Sequence, residues 1–158
     1  MQVGIILGAR SQWSTMKHTA ELLAHLRIPY EARIITANKS SKQLHKYASQ
    51  AIDRGLEIII AGSTGENYLP GIIASKTDVP VLGMQINNST TNKNVHISTS
   101  DKKMGNTIRI LNTGTEGAVN AALCAASILA SKYPHINENL IKYRSQNEVE
   151  KTLQENFM

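Results

Sequence analysis

Three segments of this 158-residue chain carry residue types that can do chemistry. They are Gly8-Ala9-Arg10-Ser11-Gln12-Trp13, Thr36-Ala37-Asn38-Lys39-Ser40-Ser41, and the run from Gly62 to Gly71, which contains Gly65-Glu66-Asn67-Tyr68-Leu69-Pro70. Each follows an apolar run. Glycines at such exits let backbone N–H groups and helix N-termini approach an anion beyond the carboxyl ends of parallel strands. The chemistry on offer is therefore the holding of a small anionic ligand such as a phosphate ester. The first segment is not G-x-G-x-x-G, no G-x-x-x-x-G-K-[ST] occurs, and no acidic residue is placed for a ribose in the dinucleotide manner. The dinucleotide-binding and P-loop readings are accordingly weak.

Apolar strand-like runs alternate with helix-period segments along the chain, the pattern of βαβ units around a parallel sheet. Val3 to Leu7 reads as the first strand. A helix with Met16, Ala20, Leu23 and Leu26 on one face follows and is closed by Pro29. Glu31 to Ile35 reads as the second strand, before a helix whose stripe is Leu44, Tyr47, Ala48, Ala51 and Ile52 and which Gly55 terminates. The nearly continuous apolar run Leu56 to Ala61 fits a central parallel strand covered on both faces. Then come a short helix around Leu69 to Lys76, a strand from Val79 to Met84, a polar loop from Gln85 to Thr107, and a fifth strand from Thr107 to Leu111. The segment from Ala118 to Ala130 places small side chains all round a helix, which predicts burial, here with help from a neighbouring subunit and hence a homo-oligomer. The tail from Asn137 to Glu155 reads as a helix anchored by Leu140, Ile141, Val149 and Leu153. The expected organisation is one α/β domain over residues 1–134, a three-layer flavodoxin-like parallel sheet, with a C-terminal helical extension of the same domain over 135–158.

Composition narrows the function classes. At 41% hydrophobic and 4% aromatic residues, the chain can bury an aliphatic core of closely packed small side chains. A net charge of +5 suits an anionic partner, but the basic residues are dispersed and many adjoin acids, as between Lys142 and Glu155. That argues for a small anionic ligand and against nucleic acid. The lone Cys124, set in an apolar run, reads as a buried small hydrophobe in a reducing compartment. The start, Met1 to Leu7, has no basic region and too short an apolar stretch for a signal peptide, and the longest apolar run, Ala118 to Ala130, is far short of the roughly 20 residues that span a bilayer. No membrane association and a cytoplasmic location are expected.

Several collinear stretches resemble one family. They include Val3-Gly4-Ile5-Ile6-Leu7-Gly8, Ser11-x-Trp13-x-x-Met16, Ile28-Pro29-Tyr30-Glu31-Ala32-Arg33-Ile34-Ile35, Ile58-Ile59-Ile60-Ala61-Gly62, Leu69-Pro70-Gly71-Ile72-Ile73-Ala74-Ser75-Lys76-Thr77, Val79-Pro80-Val81-Leu82-Gly83 and Asn120-Ala121-Ala122-Leu123. By these the chain is similar, from Met1 to about Pro134, to the PurE family of carboxyaminoimidazole ribonucleotide mutases and aminoimidazole ribonucleotide carboxylases. The resemblance implies a flavodoxin-like subunit in an octamer, an isomerase or lyase that moves or adds a carboxyl group on a ribonucleotide, and no cofactor or metal.

It also assigns roles, and this chain departs from them selectively. The family's first loop reads Gly-Ser-x-Ser-Asp-Trp, where Ser11 and Trp13 are kept but Gln12 stands for the aspartate and Ala9 for the first serine. Its second loop reads Ser-Ala-His-Arg-Thr-Pro, and Asn38 and Lys39 stand for the histidine and arginine. Its third-loop histidine is Tyr68 here, and the later Gln-Met-Pro-x-Gly stretch is Asp101-Lys102-Lys103-Met104-Gly105. The expected ligand and phosphate site is Gly8, Ser11, Gln12, Lys39, Ser40, Gly62 and Gly65, with hydroxyl donors and one cation retained. The expected catalytic positions are Asn38, Tyr68 and Glu66. Asparagine cannot titrate and a tyrosine hydroxyl ionises near 10, so neither exchanges a proton near neutral pH as a histidine does. Glu66 reads either as a solvated loop carboxylate or as an acid raised beside Tyr68 and Lys39. His18, His25, His45, His96 and His135 all lie outside the motif positions, and the first three are expected on solvent-facing helix surfaces. Two function classes follow: a divergent enzyme acting on a phosphorylated ribosyl-imidazole or similar anionic heterocycle, or a catalytically silent paralogue that binds a ligand or assembles with a partner.

Overall fold

A computed structural model describes residues 1–36, 41–64, 69–86, 108–111 and 114–157. Five strands form one parallel sheet: β1 (Val3–Leu7), β2 (Tyr30–Ile34), β3 (Ile58–Ser63), β4 (Val81–Gln85) and β5 (Ile108–Leu111), in the order β2-β1-β3-β4-β5. The helices are α1 (Trp13–His25), α2 (Ser41–Ser49), α3 (Leu69–Ala74), α4 (Gly114–Ala130) and α5 (Pro134–Phe157), with a 3-10 turn at Arg10–Gln12. This is the flavodoxin-like arrangement that the alternating pattern predicts.

Strand residues alternate between two cores, because successive side chains point to opposite faces of the sheet. Val3, Ile5, Leu7, Ile58, Ile60, Leu82 and Met84 pack with α1, α4 and the start of α5. Ile6, Ile59, Ala61 and Val81 pack with α2 and α3. Both faces are covered, which is why β1 and β3 read as unbroken apolar runs. Two close approaches hold the layers. The Thr19 hydroxyl donates to the Ala118 carbonyl at 2.8 Å, joining α1 to α4. On the other face the Tyr47 hydroxyl lies directly over Gly4, where a methyl group would not fit.

β1 has the expected bounds, the other four strands and α3 begin or end one to two residues from theirs, and three expectations fail outright. Ile52 does not continue the α2 stripe: the helix ends at Ser49, and Ile52 lies in the following turn, more than half exposed, before Gly55 at φ +78°. The α4 helix is not buried all round. Gly117, Ala118, Ala121, Ala122, Ala125, Ala126 and Leu129 form one buried stripe against the subunit's own core, whereas Asn120, Ser127 and Ile128 are exposed and Cys124 is only partly covered. The small side chains thus serve packing within the subunit, and burial of α4 needs no neighbour. On α5, Ile136 and Leu140 are buried, but Ile141, Val149 and Leu153 are each more than half exposed. A 24-residue helix is about 36 Å long at 1.5 Å per residue, and only its first turns lie on the body. Residues 87–107 of the expected loop lie outside the described residues, while Gln85 belongs to β4 and Ile86 is buried. Among the described residues no helix is long and apolar enough to cross a membrane.

Candidate functional site

Strand register brings the chemistry-bearing exits together. Leu7 pairs with Ile34 on one side and Gly62 on the other, and Gly62 pairs in turn with Met84. The chain therefore leaves β2, β1 and β3 at one level of the sheet, on strands about 4.8 Å apart. From β1 the connection runs outward to β2, and from β3 it runs outward the other way to β4 and β5. Between β1 and β3 the order reverses, and there a flavodoxin-like sheet opens its crevice.

Gly8 is the centre of the described part of this edge. Its N–H donates to Gln12 Oε1 at 2.9 Å, and its carbonyl accepts from Thr36 Oγ1 at 3.3 Å. A methyl group placed on Gly8 would sit 3.8 Å from both Gln12 Nε2 and Leu69 Cδ2, so the first residue of α3 closes against the same point. The 3-10 turn, with Gln12 N–H bonded to the Ala9 carbonyl at 3.2 Å, folds the Gln12 side chain inward until only 4% of the residue is exposed. Ser11 is left on the surface, its carbonyl accepting the Ser14 hydroxyl at 3.3 Å, and Trp13 opens α1 with its ring partly exposed.

Gly62 faces the α1-side core rather than an opening. A methyl there would meet Ile86 Cδ1 at 2.8 Å, Leu7 Cδ2 at 3.4 Å and Met16 Sδ at 3.5 Å, which makes it a packing glycine in the described geometry. Ser63 beside it is buried. Asn38, Lys39, Ser40, Gly65, Glu66 and Tyr68 lie outside the described residues. His25, His45 and His135 are exposed, and His18 is half-buried with Nδ1 3.5 Å from the Glu21 carboxylate. Among the described residues no group of three or more His, Cys, Asp or Glu side chains gathers in a way that could hold a metal ion.

Next to the crevice, between β2 and α2, runs a groove of about 580 Å³ lined by Arg33, Ile34, Ile35, Lys46, Tyr47 and Arg54, with Gln43 and Gln50 at its side. Its charge is organised around Glu31. Both carboxylate oxygens lie 2.6 Å from Arg54 Nη2, and Arg33 Nη2 is 3.5 Å away. Burial alone would raise the Glu31 carboxyl, but the neighbouring Tyr47 hydroxyl and the two guanidiniums outweigh it and hold the group below its ordinary range. Burial, reinforced by Glu31, pushes the Tyr47 hydroxyl well above its usual value. The Arg54 guanidinium stacks 5.1 Å from the Tyr47 ring, and the buried Tyr47 hydroxyl makes no hydrogen bond of proper geometry. Sequence reading misses this cluster and the Thr36–Gly8 bond, since the partners stand 23 and 28 residues apart and no local spacing signals either.

Comparison with known proteins points in one direction. Residues 2–150 match the model of the family described as AIR carboxylase. The N5-carboxyaminoimidazole ribonucleotide mutase of Pseudomonas aeruginosa is 43% identical over 144 residues, covering 90% of this chain and 88% of that protein. The enzyme of the same name from Pyrococcus abyssi is 41% identical over 143 residues, covering 90% and 82%. The crystal structure of Treponema denticola PurE superposes with a TM-score of 0.78 at 20% identity, over 99% of this chain and 98% of that one, and so attests the fold.

Proposed function

The chain belongs to the AIR carboxylase, or PurE, family, and on that premise we propose that it binds a phosphorylated ribosyl-imidazole, or a related small anionic heterocycle, in the crevice beyond β1 and β3, with the family's carboxyl-shifting chemistry slowed or exchanged. The observation that carries the reading is the register Ile34–Leu7–Gly62, which sets the three loop exits side by side. In this reading Gly8, Ser11, Lys39, Ser40 and Gly65 hold the anionic part of the ligand, as hydroxyls, backbone donors and a permanent cation suit phosphate. Asn38, Glu66 and Tyr68 stand where chemistry would occur. A carboxyl shift on an imidazole carbon needs a group that takes and returns a proton near neutral pH, and Asn38 and Tyr68 do not titrate there. Loss of such a group costs about 10²–10⁴ in rate. The same substitutions favour a second reading, a silent paralogue that retains binding alone or serves as an assembly partner. We take the working form to be a homo-oligomer, the octamer that the family resemblance implies, supported by the exposed Ile141, Val149 and Leu153 on α5 and measurable by light scattering.

The test has two arms. Calorimetric titration with aminoimidazole ribonucleotide should give heat that Ser11→Ala and Lys39→Ala diminish. Turnover of N5-carboxyaminoimidazole ribonucleotide, measured beside the Pseudomonas aeruginosa mutase, should be at least about 10²-fold slower. Equal turnover would refute altered chemistry, and an absence of heat with any ribonucleotide would refute the ligand.

A further inference from the structure

The order β2-β1-β3-β4-β5 leaves β2 at the edge of the sheet, with a neighbour on one side only. The Ile35 N–H donates to the Leu7 carbonyl and the Pro29 carbonyl accepts from Val3, so residues 29, 31, 33 and 35 turn their backbone groups toward β1. Ala32 and Ile34 between them turn theirs outward. Both residues are exposed, and among the described residues nothing bonds to those outward groups. Side chains alternate as well. Glu31 and Arg33 stand level with Gly4 and Ile6 and so lie on the α2 side, where the basic groove runs, whereas Tyr30, Ala32 and Ile34 lie on the α1 side. In the groove, Arg33, Lys46 and Arg54 outnumber the one carboxylate, Glu31, which engages Arg54 with both oxygens. The Arg33 side chain is more than half exposed and 3.5 Å from Glu31, and no described carboxylate lies within ion-pair distance of Lys46.

We propose that the outer edge of β2, with the basic groove between β2 and α2, is a docking site for an extended segment of another polypeptide in which acidic residues alternate with apolar ones. Backbone groups repeating every second residue along an open edge are matched by a further strand, whereas a compact small molecule would leave them unpaired. Whichever way such a strand runs, alternate side chains fall on the α2 side, against Arg33, Lys46 and Arg54, and the others fall beside Ala32 and Ile34. The excess positive charge of the groove asks for carboxylates in the first set, and the exposed Ile34 for aliphatic side chains in the second. This inference stands apart from the ligand proposed for the crevice.

The probe is a fluorescently labelled, capped peptide of alternating glutamate and valine, titrated against the full chain at low salt and followed by anisotropy. Three matched peptides serve as controls: one with lysine for glutamate, one with the glutamates grouped at one end, and one with its backbone nitrogens methylated. The alternating peptide should bind about tenfold or more tightly than each control, and should slow amide exchange in the β2 segment, read by hydrogen-exchange mass spectrometry. Arg33→Gln combined with Lys46→Gln, both exposed and shown by circular dichroism to leave the fold intact, should weaken that peptide about tenfold. Absence of binding would overturn the proposal. Equal binding of the grouped or the methylated peptide would also overturn it, reducing the groove to a patch of diffuse positive charge. Slow exchange of the β2 segment in the free protein, together with a smaller mass by light scattering in Ala32→Pro, would overturn it in favour of β2 pairing with a second copy of this chain.

Discussion

Replacing Gly4 by alanine is the sharpest test of how α2 is seated on the sheet. Gly4 lies in the middle of β1, paired with Glu31 of β2 and Ile59 of β3. A methyl there would collide with the Tyr47 hydroxyl and lie 3.3 Å from Tyr47 Cζ and 3.4 Å from Leu56 Cδ1. Tyr47 has little room to yield, being buried and capped by the Arg54 guanidinium. Overpacking of this kind costs about 1–3 kcal/mol, and the reduced freedom of the unfolded chain returns about 0.4–1 kcal/mol. Gly4→Ala should therefore lose about 1–2 kcal/mol, a fall in Tm of about 2–8 °C for a domain of this size.

The colliding hydroxyl makes no hydrogen bond of proper geometry and offers only a weaker electrostatic contact to Glu31, so Tyr47→Phe should cost about 1 kcal/mol at most. Removing it makes room for the new methyl. The double variant should then be nearly as stable as Tyr47→Phe alone, giving a coupling of about 1 kcal/mol or more in a urea-unfolding cycle at fixed protein concentration. Strict additivity of the two changes would refute the steric account. A large loss in Tyr47→Phe alone would show that the hydroxyl is held by Glu31 after all.

Three further outcomes can be measured on the same footing. Glu31 and Glu57 are both held below the ordinary carboxyl value of 4.5. Burial opposes this in each case, and it is outweighed at Glu31 by Tyr47 and Arg54 and at Glu57 by the Tyr133 hydroxyl and Lys132. A depressed folded-state value contributes stability that is present above 4.5 and lost as pH falls through the folded-state value, so unfolding midpoints should drop below about pH 5, and Glu31→Gln with Glu57→Gln should flatten that dependence. Thr19→Val removes the buried α1–α4 hydrogen bond at nearly constant shape and should cost about 1 kcal/mol, seen as a Tm about 2–4 °C lower. Arg27, just past the end of α1, has φ +58°, a conformation that costs a non-glycine residue about 1 kcal/mol, so Arg27→Gly should leave thermal stability level or higher, while Lys17→Gly inside α1 should lose about 1 kcal/mol.

The scaffold was legible because many residues vote for it. Val3, Ile5 and Leu7 face one core and Ile6 the other, and such two-sided runs followed by helix-period stripes leave few topologies besides a doubly covered parallel sheet. Errors arose where the signal is one residue deep. The strand β3 runs on through Gly62 and Ser63, which carry no apolar mark but pair with Met84 and Gln85. Ile141, Val149 and Leu153 repeat at helical spacing, yet periodicity gives the apolar face of a helix and not how far the body extends beneath it. Gln12 is the clearest case at the site. Its position was readable, but the inward turn of its side chain depends on a 3-10 turn and on a free Gly8 N–H, neither of which composition or spacing encodes.

Holding a phosphate and moving a proton place different demands on a crevice. The first asks for N–H groups, hydroxyls and a permanent cation at fixed spacing, and these work at any pH between a carboxylate's range and a lysine's. The second asks for one side chain that is half-protonated near neutrality. A parallel sheet supplies the fixed spacing by itself, since register Ile34–Leu7–Gly62 sets the loop exits whatever their side chains are. The proton carrier is supplied by the identity of single loop residues, which can change without disturbing the sheet. Affinity and turnover are therefore separable in this fold, and the proposed reading of this chain, binding kept and turnover slowed, asks for changes at loop positions such as Asn38 and Tyr68 and for none in the sheet.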